Sequence, residues 1–373
     1  MTPVELVPTA EPNLVPWGWF YGFLIVVFVI HLLLMNIMLG GSIMALVTGL
    51  KRRSEEGGAS FQKDISVKLP VVIALAINFG VGALIFMQVL YGHFFYVSSQ
   101  LMAVYWLSVI GLLILGYYCA YIYQYKFEVL AGLRNGVIGV TAACLLVIAF
   151  FFTNNMTLML TPTTWPRYFV EPGGTLLNLS DPTVIPRYLH FLTASMAVAG
   201  LFSAVIWTLK EKKGVPEAET NIRRGMRWFT IATLFQILIG FWFQISIPNR
   251  IMLLFLGDST LHTTVFIVGL GLVVQALYYG FKNRVWPAAF SLVLLVLVMA
   301  VMRDLVRRAY LAPYFKVSDL QVLGQYTPLL AFLIVLIAVA AILVHAIRIG
   351  MRRTDGSDAI HNPLQFISND KEA

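Results

Sequence analysis

The stretch Pro186–Lys213, PRYLHFLTASMAVAGLFSAVIWTLKEKK, decides how the rest of the chain is read. It is an apolar span long enough to cross a bilayer, closed by a basic run, with one histidine, His190, near its start. A polar side chain inside hydrocarbon is costly and sits on a bundle interior, paired with something or ligating something. Ser195, Ala199 and Ser203 follow at four-residue spacing. Such a small-residue stripe lets a neighbouring helix or a flat group approach the backbone. Two readings of His190 stand together: an imidazole that ligates a cofactor, and one that is hydrogen-bonded to an adjacent helix.

The surroundings are of the same kind. Of 373 residues, 59% are hydrophobic and 12% charged, with a mean hydropathy of +0.81. That excludes a soluble domain and predicts an all-α, polytopic membrane helical bundle. Apolar runs of spanning length fall at 17–50, 70–98, 102–125, 137–160, 186–209, 228–247, 262–281, 287–305 and 328–349. The predicted organisation is an outer N-terminal segment over 1–16, a transmembrane bundle over 17–350 and a polar cytoplasmic tail over 351–373. The first run lacks the charged start and cleavage site of a signal peptide and reads as a retained span.

Basic residues sit in alternate loops: Lys51-Arg52-Arg53, Lys126 with Arg134, Lys210 through Arg227, Lys282 with Arg284, and Arg348 with Arg352 and Arg353. Loops rich in Lys and Arg stay in the cytoplasm, so the N-terminus is expected outside and the C-terminus inside a bacterial cytoplasmic membrane. The same rule accounts for the net charge of +8 without a nucleic-acid partner. Cys119 and Cys144 lie within spans and form no CxxCH attachment motif, so a haem would be held noncovalently.

The first span carries His31, then Asn36 and Gly40-Gly41; the second holds Asn78, Gly80, Gly82 and Gln88 and ends near His93. His93 falls at the outer membrane boundary, where an imidazole is solvated at little cost. The third span contains no carboxylate. Thr161 to Pro186 is predicted to be an ordered outer loop rich in Pro, Gly and aromatics. His262 opens the seventh span, at the same shallow depth as His190, and two imidazoles across a bundle are a way to hold a low-spin haem iron. The eighth span ends Met302-Arg303-Asp304-Leu305-Val306-Arg307-Arg308 on the outer side. Arginines there run against the positive-inside trend. Haem propionates would explain them, since a guanidinium binds a carboxylate bidentately; docking of an acidic partner is the alternative. His345 and His361 read as structural or solvated.

With these residues in view, the chain resembles the cytochrome bd quinol oxidase superfamily, subunit I, as a distant member. His31 to Gly40 resembles the first-helix histidine and its following Leu-Gly; Ile77-Asn78-Phe79-Gly80-Val81-Gly82 resembles the second-helix Ile-Asn-Phe-Ala-x-Gly. Arg187 to Ser195 is similar to the fifth-helix segment that carries the low-spin haem ligand. Asp304 to Tyr310 is a degraded form of Glu-x-Gly-Arg-Gln-Pro-Trp, and Val317-Ser318-Asp319-Leu320 leads into the last helix as in that family. The third-helix glutamates of the family are replaced here by Trp106, Ser108 and Tyr117, the long quinol-binding insertion shrinks to Pro248–Leu261, and Arg-x-Met gives way to Val265-Phe266-Ile267.

The resemblance, less these departures, implies one or two haems b and electron transfer with membrane quinol, because a site without carboxylates has difficulty delivering protons to oxygen. The expectation is a membrane cytochrome subunit of a respiratory complex, exchanging electrons between quinol and an outer-face partner, a c-type cytochrome. His190 and His262 are the expected axial pair of one haem. His31 would ligate a second, with His93 or Asp304 as its partner, and Arg187, Arg303 and Arg307 would hold propionates. A terminal oxidase subunit of the same fold and a haem-free scaffold or transporter are the alternatives.

Overall fold

The structure is a computed structural model that describes residues 5–51, 58–130 and 132–357, without the side chains of residues 347 and 350–357. Arg52, Arg53, Arg352 and Arg353 as side chains, His361, and the tail beyond 357 lie outside the described residues.

Apolar runs become helices because hydrocarbon leaves the backbone no partner but itself. In order these are α1 (Trp17–Leu50), α2 (Gly58–Leu101), α3 (Ala103–Tyr125), α4 (Arg134–Leu160), α5 (Val184–Glu211), α6 (Ala218–Ser246), a short α7 (Asn249–Leu253), α8 (Thr260–Phe281), α9 (Val285–Leu311) and α10 (Thr327–Ser357). Among the described residues, nine of these are long and apolar enough to cross a membrane, all but α7. The predicted spans are recovered, with extra turns at the ends. The largest extension is in α2, whose 44 residues would run to about 66 Å at 1.5 Å per residue. It is broken at Tyr91 (φ −137°, ψ 24°). The outer loop predicted after α4 is ordered by a 3-10 helix, Pro162–Phe169, whose Trp165 indole donates to the Leu158 carbonyl at 2.8 Å. The short loop over 248–261 contains α7 and a π-turn, Leu254–Asp258, closed by Gly257 at φ 137°.

Two compact units separate. One is residues 1–11 with 17–320 and holds α1 to α9; the other is residues 12–16 with 321–373 and holds α10. Within the second, Asn13 and Val322 form a parallel bridge, with the Asn13 amide donating to the Gln321 carbonyl at 2.8 Å.

In the first unit the helices meet at small residues. A Cβ on Gly40 of α1 would collide with the Ser195 carbonyl of α5, and one on Gly200 of α5 would lie 2.8 Å from the Gly225 carbonyl of α6. Close backbone approach of this kind takes the place of hydrophobic driving force between helices in lipid. The stripe Ser195–Ala199 therefore receives a helix. At the end of the bundle where α5 stops, Asp64 of α2 is buried and its Oδ1 accepts from Lys68 and from Lys210 of α5, the latter at 2.5 Å. Lys63 reaches Glu128, in the turn after α3, at 2.6 Å; this contact holds the exposed Glu128 carboxyl below its ordinary range. The opposite end, where α5 begins and α9 finishes, is called the top below.

Candidate functional site

Toward the top, a cavity of about 210 Å³ opens between α5, α6, α8 and α9. Its walls are mostly aliphatic and aromatic, with His190 and Arg187 on one side and Arg303 on another. The antiparallel register of α5 and α6 places these groups. Arg187 lies over the Phe243 ring at 4.8 Å, a Cβ on Gly240 would be 3.5 Å from His190 Cε1, and the Thr193 hydroxyl donates to Gln236. Three successive turns of α5 thus meet three successive turns of α6. At the middle turn the glycine leaves the imidazole open toward the cavity.

The polar atoms are under-satisfied. His190 Nδ1, Arg187 Nε and Arg303 Nε are buried without a hydrogen-bond partner. Orphaned groups of this kind call for an explanation in a native fold. Arg187 reaches only the Thr183 hydroxyl, at 3.5 Å; Arg303 is directed to the Met156 sulfur at 3.3 Å and lies over Phe28 at 4.5 Å. Among the described residues, neither makes an ion pair with a carboxylate. Asp181, the acidic neighbour of Arg187, has its Oδ1 bonded to the backbone and hydroxyl of Thr183 at 2.7 and 2.6 Å. The residue after Arg303, Asp304, is 1% exposed and spends both oxygens on Arg307 at 2.9 Å and Arg308 at 2.6 Å. Arg308 in turn lies over Tyr21 at 4.5 Å. Asp304 therefore closes an arginine pair, and two further guanidiniums face the cavity without an ion pair among the described residues.

The expected site residues separate. His190, Arg187 and Arg303 come together on the cavity; Arg307 and Asp304 lie above it as an ion pair. His262 does not line the cavity. Its Nδ1 pairs with the Ser259 hydroxyl at 2.7 Å, and its ring stands edge-on to Phe255 at 5.1 Å. His31 donates from Nδ1 to the Ala76 carbonyl at 2.9 Å, which leaves Nε2 with its lone pair, and it packs against Gly80, where a Cβ would lie 2.8 Å from Cε1. Phe28 separates His31 from Arg303. His93 packs on Phe94 and Phe315, with ring centroids 4.4 and 4.5 Å away. Sequence reasoning missed Gly240, Met299 and Met302 as parts of this site, and none of them carries a motif.

These features define a multi-pass membrane bundle with a buried, cationic, histidine-bearing cavity near one end. Neither a family model nor a curated protein matches the chain by sequence. By structure it is similar to a chain of the bd oxidase from Geobacillus thermodenitrificans, with a TM-score of 0.60 and 12% identity over 91% of this chain and 99% of that one. The cytochrome bd-like architecture expected from the sequence is the one found. A likeness at that identity is one of fold, and function has to be argued from the site.

Proposed function

We propose that the chain is a haem b membrane cytochrome, a subunit of a respiratory complex that exchanges electrons between membrane quinol and a redox partner on the outer face. The observation that carries this is the pairing, in one apolar cavity, of His190 with two buried guanidiniums that lack carboxylates. The chemistry of this lining, apolar walls with one imidazole and two guanidiniums, suits an apolar ring that brings two carboxylates and an iron. The residues meet the test that matters: an imidazole nitrogen without a partner, a glycine cradle beside it at Gly240, and two forks matched to carboxylate geometry. Bound haem would supply a one-electron couple; everything else falls to the protein. His190 would hold the iron from α5. Arg187 and Arg303 would hold the propionates. The aromatic wall of Phe243, Phe255 and Phe266 would exclude water.

His31 is proposed as ligand to a second haem, supported by its Nδ1 bond to a carbonyl, an arrangement that orients ligating histidines. Asp304 is already committed to two arginines, which favours electron transfer over oxygen reduction, where a free carboxylate would move protons. The orientation follows the basic loops: the top is the outer face, so the His190 cavity opens near the side where quinol would be oxidised and a c-type cytochrome would dock. The test is a reduced-minus-oxidised spectrum with pyridine haemochrome quantification on purified wild type, His190→Ala and the Arg187→Gln/Arg303→Gln double variant. A low-spin b signal lost in His190→Ala and weakened in the double variant is expected. A colourless wild type would sink the proposal and leave a haem-free scaffold or transporter.

A further inference from the structure

We infer that Thr183 and Asp181, where the outer loop enters α5, are positioning residues for Arg187: they hold its guanidinium in one orientation on the cavity wall and temper its charge. The inference rests on the haem reading above and goes beyond it, since it assigns the tuning of the bound group to residues that do not line the cavity.

A guanidinium donates and never accepts, so its direction is set by the acceptors around it. For Arg187 the acceptor is the Thr183 hydroxyl, one turn earlier in the chain, at 3.5 Å. A hydroxyl has one proton. Thr183 gives that proton to Asp181 Oδ1 at 2.6 Å, so what it turns to Arg187 is a lone pair. The carboxylate thus acts on the guanidinium through a hydroxyl of a residue only 2% exposed, a setting in which polar bonds reinforce one another. Asp181 is also an electrostatic neighbour of Arg187, as it is of Tyr310 on α9.

The loop is built to keep this pair still. The Asn178 amide donates to Asn154 Oδ1 of α4 at 3.2 Å, and the Asn178 side chain donates to Thr161 Oγ1 at 3.1 Å. The Asp181 amide then donates to the Asn178 carbonyl at 3.1 Å, and the Arg187 amide to the Thr183 carbonyl at 3.0 Å. Asn154, Asn178 and Thr183 are all buried. A continuous set of hydrogen bonds therefore runs from α4 to Arg187.

An aspartate that bonds the amide two residues on is a common way to turn a chain into a helix, and Asp181 does this to the Thr183 N–H at 2.7 Å. That role needs neither the buried hydroxyl nor an arginine one turn further. The two guanidiniums on the cavity differ in this respect. Arg303 meets the Met156 sulfur, a weak acceptor, whereas Arg187 is tied through a hydroxyl to a carboxylate. Held in this way, Arg187 keeps a buried, unpaired Nε for an acceptor that enters the cavity. The negative charge behind it offsets part of its field, which keeps the potential of a bound haem below the value that Arg187 alone would set.

The test compares purified wild type with Asp181→Asn, Thr183→Val and Thr183→Ser by redox titration of the haem, by the rate at which haem passes to apomyoglobin, and by thermal unfolding. Asparagine keeps an oxygen for both Thr183 bonds and removes the charge; valine keeps the shape of threonine and removes the hydroxyl. Expected is a raised midpoint potential in Asp181→Asn, with haem lost as slowly as from wild type. Thr183→Val should lose haem several-fold faster, and Thr183→Ser should restore the wild-type rate. A potential and a haem-loss rate unchanged in Asp181→Asn and Thr183→Val, whatever their melting temperatures, overturn the inference and leave these residues as a helix-starting turn. Equal haem loss from the Val and Ser variants overturns it as well. In both cases a haem-loaded wild type leaves the cytochrome reading standing, whereas a wild type without haem removes both readings.

Discussion

Arg303 provides the sharpest test of charge balance at the cavity, because the sign of its effect on stability should reverse with occupancy. Its guanidinium meets a sulfur and an aromatic face, and among the described residues it forms no ion pair with a carboxylate. An uncompensated buried charge costs about 3–5 kcal/mol, and a group that reaches a cavity suffers a fraction of that, about 1–2 kcal/mol. Replacing Arg303 by Gln should therefore stabilise the empty protein by about 1–2 kcal/mol. When a carboxylate-bearing haem is bound, the same substitution removes a charge-assisted hydrogen bond worth about 1.5–3 kcal/mol and should destabilise. At about 2 °C per kcal/mol for a chain of this size, the midpoint would rise by roughly 2–4 °C in one state and fall by roughly 3–6 °C in the other. The assay is thermal unfolding of detergent-solubilised wild type and Arg303→Gln, each prepared from haem-supplied and haem-starved cells. A shift of the same sign in both preparations would refute the reasoning, for then Arg303 is balanced by the protein itself.

Three other outcomes follow from particular contacts. Asp304→Ala should lower thermal stability by about 3–5 kcal/mol, because Arg307, 4% exposed at its side chain, is left unpaired, whereas Arg308→Ala, at a partner 34% exposed, should cost about 0–1 kcal/mol; equal losses in a melting comparison would contradict the ion-pair geometry. Gly80→Ala places a Cβ 2.8 Å from His31 Cε1 and should break the His31–Ala76 bond. The loss of about 0.5–1.5 kcal/mol is nearly offset by the gain from alanine in a helix, about 0.5–1 kcal/mol, so the melting point should hold while the haem spectrum changes. Glu128 has its pKa lowered by Lys63, so whatever this contact contributes is present at neutral pH and fades as pH falls below the ordinary carboxylate range. Since both side chains are more than half exposed, Glu128→Gln should leave the neutral-pH melting curve unchanged, and a clear loss would show that this link does more than geometry indicates.

The spans were legible in the sequence for a simple reason: hydrocarbon demands long apolar runs with internal hydrogen bonds, and little else satisfies it. The cluster Arg303–Arg308 was legible as an anomaly, since buried guanidiniums need a reason wherever they occur. Which side chains share a face was not. His190 and His262 open helices that start at the same end, and their depth could be worked out from position alone. Depth says nothing about azimuth. A helix that is apolar all round presents no polar stripe from which its inward side can be read. The same blindness hid Met299 and Met302, which in an apolar run look like any other filler, and it left Asp304 looking like a free carboxylate when its two neighbours on α9 already hold it.

What breaks the rotational symmetry of such helices is the exception inside the run, and here the exceptions come in pairs. His190 faces Gly240, and His31 faces Gly80. In each pair an imidazole on one helix meets a residue without a side chain on the next. The glycine does two things at once: it lets the helices approach, and it leaves the ring a volume that no side chain fills. At Gly80 the ring occupies that volume, and its Nδ1 bonds to the backbone one turn away at Ala76. At Gly240 the ring looks past the glycine into a cavity, with its own nitrogen unpaired. His31 already has one ring nitrogen oriented by a carbonyl, whereas among the described residues nothing satisfies His190 Nδ1. A buried imidazole left that way on a cavity wall is the structural reason to place a ligand beside it.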